Sequence, residues 1–298
     1  MADIISIINP ATETLVDEIP ADDAATIAAK VTAARAAQPA WAALPLSERL
    51  GCLARFRDLL VQQADELALT LTTETGKPIT QAKSEILATP ARIDFFIENT
   101  AALLDPVLAH REPASALPGT ASLEEYITYE PLGAIANISA WNYPYFVGLN
   151  VIAPALATGN AVLYKPSEIA TLTGQAIAAL LHQAGVPEAV FTPIVGLGTA
   201  GATLLEQPLD GVFFTGSYGT GQKIAAAAAA QMMRVQLELG GKDPAYVCED
   251  VDVGAVATAL ADGAFYNNGQ SCCAVERIYV HSAVYDDFLS AFLDAVQG

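Results

Sequence analysis

The strongest constraint on the fold is an alternation of short apolar segments with longer helical segments between residues 134 and 240. The strand-like segments "AVLYK" and "GVFFTG" alternate with helical ones such as "TLTGQAIAALLHQAG" and "GQKIAAAAAAQ". Strands that alternate with helices of this length predict βαβ units and a parallel sheet. Because helices cover both faces of such a sheet, its strands are apolar throughout, as "VFF" is here. The alternation therefore predicts an α/β protein.

The chain before this alternation is mainly helical. Residues 22–104 carry apolar residues at helical spacing, beginning at a cap from Asp22 or Asp23 and interrupted at Gly76 and Pro78. The sequence therefore predicts several helices that precede the sheet.

Three further segments are distinct in character. Residues 105–120 contain three prolines, which indicate a surface connection. Residues 123–141 are typical of two strands joined at Pro131–Gly133. After residue 241, two strands and two helices predict the opening of a second α/β domain, whose core would be small for a domain of its own.

Composition restricts the classes of function. A formal net charge of −19 disfavours binding to nucleic acid or to anionic membranes. No uncharged apolar run of about 18 residues is present, and the N-terminus lacks the pattern of a secretory signal, so we expect a cytoplasmic protein. With three histidines and cysteine spacings that match no zinc pattern, we predict no metal site.

Four cysteines are present, and two of them are adjacent in "FYNNGQSCCAVERIYV". We predict that all four are thiols and that Cys52 and Cys248 are buried. Cys272 and Cys273 follow a polar turn and precede a strand. Because neighbouring side chains of an extended segment point to opposite sides, we expect only one of these two to face a site. The residues alone do not say which one.

Two glycine-containing turns could approach a phosphate. "GLGTAG", with Gly196, Gly198 and Gly201, has the spacing G-x-G-x-x-G, but no acidic residue follows at the usual distance, so a simple turn is favoured. "FFTGSYGTGQKIA" is a better candidate, because Gly216 and Ser217 lead from a strand into a helix whose free N–H groups could meet a phosphate.

Polar residues follow three of the strands. In "KPSE", Lys165 could bond sugar hydroxyls, and Glu168 could accept from a ribose 2′-OH while repelling a 2′-phosphate, which favours NAD over NADP. Asn142 in "AWNYP" is a candidate donor to an oxyanion. Glu238 lies between Leu237 and Leu239 in "LELGGK", where partial desolvation would suit a general base. Each of these has an ordinary structural interpretation when taken alone.

Taken together and in this order, the motifs resemble those of the aldehyde dehydrogenase superfamily of the non-acylating type. The matching segments are "AWNYP", "KPSE", "FTGS", "LELGGK" and the series Phe265, Asn267, Gly269, Gln270 and Cys272, with "INPATE" and "ETGKP" towards the N-terminus. The resemblance implies a variant Rossmann-like sheet and NAD as cofactor, with NADP less favoured. It also implies an aldehyde as substrate. Because a catalytic domain that is only partly present should leave apolar surface exposed, we expect assembly into a homo-oligomer.

The resemblance assigns roles to individual residues. Cys272 would be the nucleophile that forms a thiohemiacetal and then a thioester, and Cys273 its inert neighbour. Asn142 and the backbone N–H of Cys272 would form the oxyanion hole, and Glu238 would activate the water that releases the acid. The residues implied in cofactor binding are Ser139, Ala140, Trp141, Asn142, Lys165, Pro166, Ser167, Glu168, Gly216, Ser217, Gly221, Glu238, Leu239 and Gly240.

The resemblance also divides the chain. Residues 1–120 and 134–240 would form the NAD-binding domain, residues 121–133 a bridging hairpin used in oligomer assembly, and residues 241–298 an incomplete catalytic domain. Family members are usually longer, so three expectations stand side by side. The chain is a fragment of an ordinary enzyme, a short form that completes its site by association, or a cofactor-binding module without turnover.

Overall fold

The computed structural model describes residues 3–112 and 122–297. Its strands are β1 (Ile4–Ile8), β2 (Leu15–Pro20), β3 (Val107–Glu112), β4 (Leu123–Ile127), β5 (Ala134–Ile138), β6 (Ala161–Lys165), β7 (Phe191–Pro193), β8 (Gly211–Gly216), β9 (Arg234–Leu239), β10 (Asp243–Val247) and β11 (Val275–Val280). Its α-helices are α1 (Ala24–Ala42), α2 (Leu46–Gln62), α3 (Ala64–Thr75), α4 (Ile79–Leu104), α5 (Pro144–Ala157), α6 (Thr171–Gln183), α7 (Gly198–Leu205), α8 (Tyr218–Ala230), α9 (Val253–Phe265) and α10 (Tyr285–Gln297).

The centre of the fold is a five-stranded sheet in the order β7-β6-β5-β8-β9, with every neighbouring pair parallel. Successive residues of a strand point to opposite faces. In β5, Ile135 packs into the core on one face of the sheet, while Ala134 and Ala136 pack into the core on the other. The α/β class and the parallel sheet with flanking helices are therefore confirmed.

Helices cover both faces of this sheet. The core on one face is built from α2 to α6, and the core on the other from α1, α7 and α8. Of the two predicted caps of α1, Asp23 is the one used, because its side chain accepts from the Thr26 N–H at 2.8 Å. Gly76 ends α3 in the left-handed conformation that glycine adopts at least cost. In the described part of the chain, no helix is both long and apolar enough to cross a membrane.

The N-terminal hairpin of β1 and β2 was not among the predicted elements. The two strands pair antiparallel, and Ile5 and Ile7 pack on Val195 beside β7. Buried and exposed residues alternate along β1, but its sequence IISII does not alternate in hydropathy, so a period-2 search would not detect this strand.

A second hairpin corrects the prediction for residues 105–133. β4 pairs antiparallel with β3, which lies in the segment predicted as a surface connection. The strands on either side of Pro131–Gly133, β4 and β5, belong to different sheets and do not pair with each other. The reason is that β5 is apolar and joins the buried parallel sheet, whereas β4 is exposed along its whole length. The rest of the predicted connection, residues 113–120, lies outside the described residues.

The C-terminal part of the chain forms a small α/β layer. β10 and β11 pair in parallel, and α9 and α10 pack on them around Val247, Ala257 and Phe288. This agrees with the predicted two strands and two helices, while the division of the chain into domains stays a prediction. Contacts join this part of the chain to the turn after β5, where Asn142 donates to the Gln270 carbonyl.

Candidate active site

A cavity of about 720 Å³ opens at the carboxyl edge of the five-stranded sheet. In the chain order, β5 has β6 on one side and β8 on the other, so the direction of strand succession reverses at β5. Open parallel sheets hold their ligands at this type of switch point. The predicted cofactor residues that line the cavity are Ser139, Ala140, Trp141, Lys165, Ser167, Glu168, Gly216 and Ser217.

Lys165 is the more deeply buried of the two lysines that line the cavity. Only 4% of the residue is exposed, and burial lowers the pKa of its ammonium group, while Glu168 acts in the opposite direction. Its Nζ donates to the Pro166 carbonyl at 3.2 Å and lies 3.8 Å from the Glu168 carboxylate. The ammonium group therefore has donor capacity left over for oxygen atoms of a ligand. This arrangement fits a sugar with free hydroxyl groups.

The glycines of "GLGTAG" contribute more than the sequence suggested. Gly198 and Gly201 both line the cavity, although the missing acidic residue had favoured a simple turn. A Cβ atom on Gly201 would lie 3.4 Å from the Lys165 side chain, so the absence of a side chain leaves room for this lysine. Lys223 also lines the cavity and was missed, because nothing in its local sequence distinguishes it from an exposed helical lysine.

The turn between β8 and α8 supplies the N-cap of α8. Ser217 is the N-cap of α8, accepting from the Thr220 N–H at 3.4 Å and donating to the Thr220 hydroxyl at 3.0 Å. Gly221 packs against Leu239, and a Cβ atom there would lie only 2.7 Å from that side chain. Six predicted cofactor residues do not line the cavity: Asn142, Pro166, Gly221, Glu238, Leu239 and Gly240.

The adjacent cysteines lie in a loop, residues 266–274, that we call the thiol loop. Asn267, Asn268 and Gly269 have positive φ values of 54°, 57° and 75°, which reverse the chain after α9. Asparagine is one of the few residues that tolerate this conformation. A turn follows, closed by the bond from the Ala274 N–H to the Ser271 carbonyl at 3.1 Å.

This turn corrects the expectation for the two cysteines. They lie within a turn rather than in an extended segment, so the alternation of side chains does not apply to them, and both are exposed. Partial burial of its sulfur and the adjacent Cys273 thiol raise the pKa of Cys272. Cys52 is buried as predicted, but Cys248 is exposed because it lies just beyond the end of β10.

Hydrogen bonds join the thiol loop to the turn after β5. The Asn142 side-chain amide donates to the Gln270 carbonyl at 2.8 Å, and the Asn267 amide donates to the Asn142 carbonyl at 3.1 Å. The Tyr143 hydroxyl lies 2.5 Å from that of Ser271. Two segments about 128 residues apart in the chain are thus held together next to Cys272.

The segment after β9 reaches the same place. A Cβ atom on Gly241 would lie 3.4 Å from the carbonyl oxygen of Cys272, so the backbones approach closely there. Glu238 itself is exposed, which corrects the expectation of partial desolvation. The physical reason is that β9 is an edge strand, in which Leu237 and Leu239 point to the face opposite Glu238 and do not cover it.

The fold and the site define an α/β protein with a ligand cavity at the switch point of a doubly wound sheet and a cysteine-bearing loop beside it. The model of the aldehyde dehydrogenase family matches residues 2–298, and the chain belongs to this family.

The chain is similar to three proteins that illustrate the range of the family. The 3,6-anhydro-alpha-L-galactose dehydrogenase of Streptomyces coelicolor is 38% identical over 97% of this chain and 58% of its own length. The structure of PnpE in complex with nicotinamide adenine dinucleotide is 33% identical with a TM-score of 0.90, over 98% of this chain and 59% of that one. The NADP-dependent glyceraldehyde-3-phosphate dehydrogenase of Bacillus halodurans, complexed with NADP, is 33% identical with a TM-score of 0.90, over 99% and 61%. The chain thus spans about three fifths of the length of these relatives.

Proposed function

We propose that the protein oxidises an aldehyde to a carboxylic acid through a thioester on Cys272, with a nicotinamide dinucleotide as hydride acceptor. The observation that carries this proposal is the direct hydrogen bond between Asn142 and the thiol loop beside the cavity at the switch point. It brings a nucleophile and an amide donor together at the edge where a nucleotide would bind. The family to which the chain belongs supports the same general reaction.

The proposed first step is attack of the Cys272 thiolate on the aldehyde carbonyl. The oxygen that becomes negatively charged would be stabilised by the Asn142 side-chain amide and by the Cys272 backbone N–H. An amide group carries two N–H donors, and the Gln270 carbonyl accepts one of them from Asn142. The second N–H is available to the substrate, and the bond to Gln270 would fix its direction.

The remaining steps convert the adduct to the acid. A bound nicotinamide dinucleotide would supply the acceptor for the hydride lost by the adduct, and the acyl group would stay on Cys272 as a thioester. Glu238, exposed at the end of β9 and therefore accessible to water, would take a proton from the water molecule that attacks this thioester. A carboxylate at this position favours hydrolysis over transfer of the acyl group to coenzyme A.

The direct test of the proposed function is aldehyde-dependent formation of the reduced cofactor, followed at 340 nm with NAD⁺ or NADP⁺. Short, aromatic and semialdehyde substrates sample the chemistry broadly. Turnover with any of them supports the reaction class, and their ranking defines the substrate class. An absence of turnover with all of them, under conditions where the cofactor binds, would refute it.

A cofactor-binding module without turnover is the second candidate. It is favoured by the fact that, among the residues that the structure describes, those lining the cavity all lie between Ile138 and Gln231. Neither the thiol loop nor the C-terminal layer contributes to it. Binding of NAD⁺ that survives in the absence of any aldehyde oxidation, including in the unmodified chain, would support this candidate over the first.

We propose NAD as the preferred cofactor, with Glu168 as the residue that selects it. The Glu168 side chain is 45% exposed at the cavity and would accept a hydrogen bond from the 2′-OH of the adenosine ribose. Its negative charge would repel a 2′-phosphate at the same place. Two of the similar structures contain NADP and one contains NAD, so the preference is a property to be tested in this chain.

Replacing Glu168 by glutamine is expected to weaken NAD⁺ binding about 3- to 10-fold, the equivalent of one net hydrogen bond. NADP⁺ binding should become tighter at the same time, since the repulsion is removed. Titration calorimetry with both cofactors measures the two constants. Glu188→Gln, an exposed glutamate that does not line the cavity, is the matched control. Parallel weakening of both cofactors would contradict the selective role.

The pH dependence of Cys272 alkylation provides a second prediction. The thiolate is the reactive form, so a raised pKa moves the increase in rate to higher pH than for an ordinary thiol. Because Cys273 contributes to this rise, Cys273→Ala is expected to move the midpoint to lower pH. The rate with iodoacetamide should be followed in a Cys248→Ser background, since Cys248 is also exposed. A midpoint that does not move, or moves upward, would contradict the coupling between the two thiols.

We further propose that the β3–β4 hairpin mediates assembly of a homo-oligomer. Val107 and Ile127 are paired across the hairpin and are 52% and 51% exposed, and Tyr126 is 53% exposed. A two-stranded ribbon is marginally stable alone, and exposed apolar surface of this kind favours association.

The unmodified chain is expected to elute as a multiple of its 31.1 kDa mass when size-exclusion chromatography is combined with light scattering. Val107→Lys with Ile127→Lys should shift it towards the monomer, because two charges would have to be buried in the interface. NAD⁺ binding serves as the control for folding of the variant. A monomeric unmodified chain would refute the proposed assembly.

A further inference from the structure

A buried ion pair, Lys77 with Glu85, lies in a part of the chain to which the proposed reaction assigns no role. Lys77 belongs to "ETGKP" and Glu85 to α4, and each side chain is only 2% exposed. Burial raises the pKa of Glu85 and lowers that of Lys77, and each charge offsets part of this effect for the other. A buried pair of this kind is weak evidence for a gain in stability, so its contacts decide what it does.

The first contact leads from Lys77 to the thiol loop. Its Nζ lies 3.9 Å from the centre of the Tyr143 ring, within the range of a cation–π interaction. The hydroxyl of the same ring lies 2.5 Å from the Ser271 hydroxyl. Ser271 directly precedes Cys272 and closes the turn that carries it. The ammonium group thus holds the ring that anchors this turn.

The second contact leads from Glu85 to the segment that carries Asn142. The carboxylate oxygen Oε1 accepts hydrogen bonds from the N–H groups of Tyr145 and Phe146, at 3.0 and 3.2 Å, in the first turn of α5. The other oxygen, Oε2, is the partner of Lys77. A single carboxylate therefore connects the start of α5 with the lysine under Tyr143.

Two more hydrogen bonds join residues 76–85 to the thiol loop. The Gln81 side-chain carbonyl accepts from the Asn267 N–H at 2.7 Å. The Gly76 carbonyl accepts from the Asn268 side chain at 3.0 Å. Both asparagines have positive φ, so these bonds hold the residues that reverse the chain. The start of the thiol loop is thus bonded directly to residues 76–81, and its Ser271 is linked to Lys77 through Tyr143.

We propose that Lys77 and Glu85 are positioning residues that set Cys272 relative to Asn142, acting through Tyr143 and the first turn of α5. The effect of this arrangement on catalysis rests on the proposed function, whereas its effect on the order of the thiol loop does not. Displacement of a reacting group by about 1 Å can cost on the order of 100-fold in rate. The ion pair contacts both the segment that carries Asn142 and the ring that anchors the thiol loop, so it can fix the distance between Asn142 and Cys272.

The test removes both charges together, because a single neutral substitution would leave the other charge buried and unpaired. Lys77→Met with Glu85→Gln keeps the volume of both side chains, and the glutamine carbonyl can still accept from the α5 N–H groups. Tyr143→Phe keeps the ring and removes only the hydroxyl that contacts Ser271. Lys83→Met is the matched control, since Lys83 lies on α4 in an exposed ion pair with Asp65.

Amide hydrogen exchange is the primary measurement, because it does not require turnover. The backbone amides of Gln270 and Ala274 donate within the thiol loop, and that of Asn267 donates from the loop to the Gln81 side chain, so all three report its opening. Exchange at these sites is expected to rise about 2- to 10-fold in both test variants, the equivalent of one hydrogen bond. Exchange in the five-stranded sheet should not change, and the control variant should behave like the unmodified chain.

Steady-state kinetics supply the second measurement. The two test variants are expected to lose about 10- to 100-fold in kcat, with an unchanged KM for NAD⁺ because the cavity is formed elsewhere. Unchanged exchange at the three amides would overturn the inference, whether or not the protein turns over. Faster exchange in the two test variants, together with no turnover by the unmodified chain, would leave the positioning role intact and refute the proposed function instead.

Discussion

Replacing Cys272 by alanine is expected to reduce aldehyde-dependent formation of NADH by at least about 1000-fold, because the covalent step loses its nucleophile. NAD⁺ binding should stay within about twofold of the unmodified chain, since none of the residues that line the cavity belongs to the thiol loop. The rate at 340 nm and calorimetry with NAD⁺ measure the two properties separately.

Cys273→Ala is the matched control for this prediction. Both thiols are exposed in one turn, so solvent access does not distinguish them, and the assignment of Cys272 rests on the resemblance. We expect the control variant to keep most of its activity. Loss of turnover in Cys273→Ala with retention in Cys272→Ala would reverse the assignment. Turnover as fast as that of the unmodified chain in both variants would mean that neither thiol is the required nucleophile.

Replacing Glu85 by alanine is expected to lower the free energy of unfolding by about 3–5 kcal/mol, the usual cost of breaking a buried ion pair from one side. The substitution leaves the Lys77 ammonium buried without its counter-charge. It also removes the acceptor of two N–H groups at the start of α5. Urea denaturation followed by circular dichroism measures the change.

Two comparisons make this prediction specific. Lys83→Ala breaks an exposed ion pair between α4 and Asp65 of α3 and should cost less than about 1 kcal/mol. The double variant Lys77→Met with Glu85→Gln should be more stable than Glu85→Ala, because it leaves no unpaired charge. A loss in Glu85→Ala as small as that of the exposed pair would mean that the buried pair is readily hydrated, and it would weaken the positioning inference.

The class of fold could be predicted because its cause is local and repeated. Each strand of the five-stranded sheet is a short apolar run, and each helix has its own periodicity, so the elements are apparent without knowledge of their neighbours. Asp23 as a cap and Gly76 as a terminator followed from the backbone geometry that each residue favours.

Strand pairing outside the main sheet could not be predicted in the same way. β4 is followed closely along the chain by β5, yet it pairs with β3, on the other side of residues 113–121. The hairpin strands mix apolar with charged residues, so neither has the continuous apolar run that marks the strands of the five-stranded sheet. Glu238 was misplaced for a related reason, since whether β9 lies at an edge depends on the order of all five strands.

The residues of the candidate site also fall into two groups, those that local sequence motifs indicate and those that only the fold brings together. Residues in compact motifs, such as Lys165, Glu168 and Gly216, could be selected because their chemistry and their neighbours occur together in the sequence, and all three line the cavity. The part of Gly198 in the cavity, and the cap that Ser217 supplies to its own helix, depend on atoms that only the fold brings near.

The sequence by itself determined the alternating elements, the parallel sheet and the family, because these depend on residue types at short spacing. Only the tertiary structure decided which distant residues meet. Asn142 and Gln270 are 128 positions apart in the chain and share a hydrogen bond. Lys77, which precedes α4, contacts the ring of Tyr143, which precedes α5. Contacts of this kind depend on how helices and loops pack on the sheet, a three-dimensional arrangement that leaves no periodic pattern in the chain.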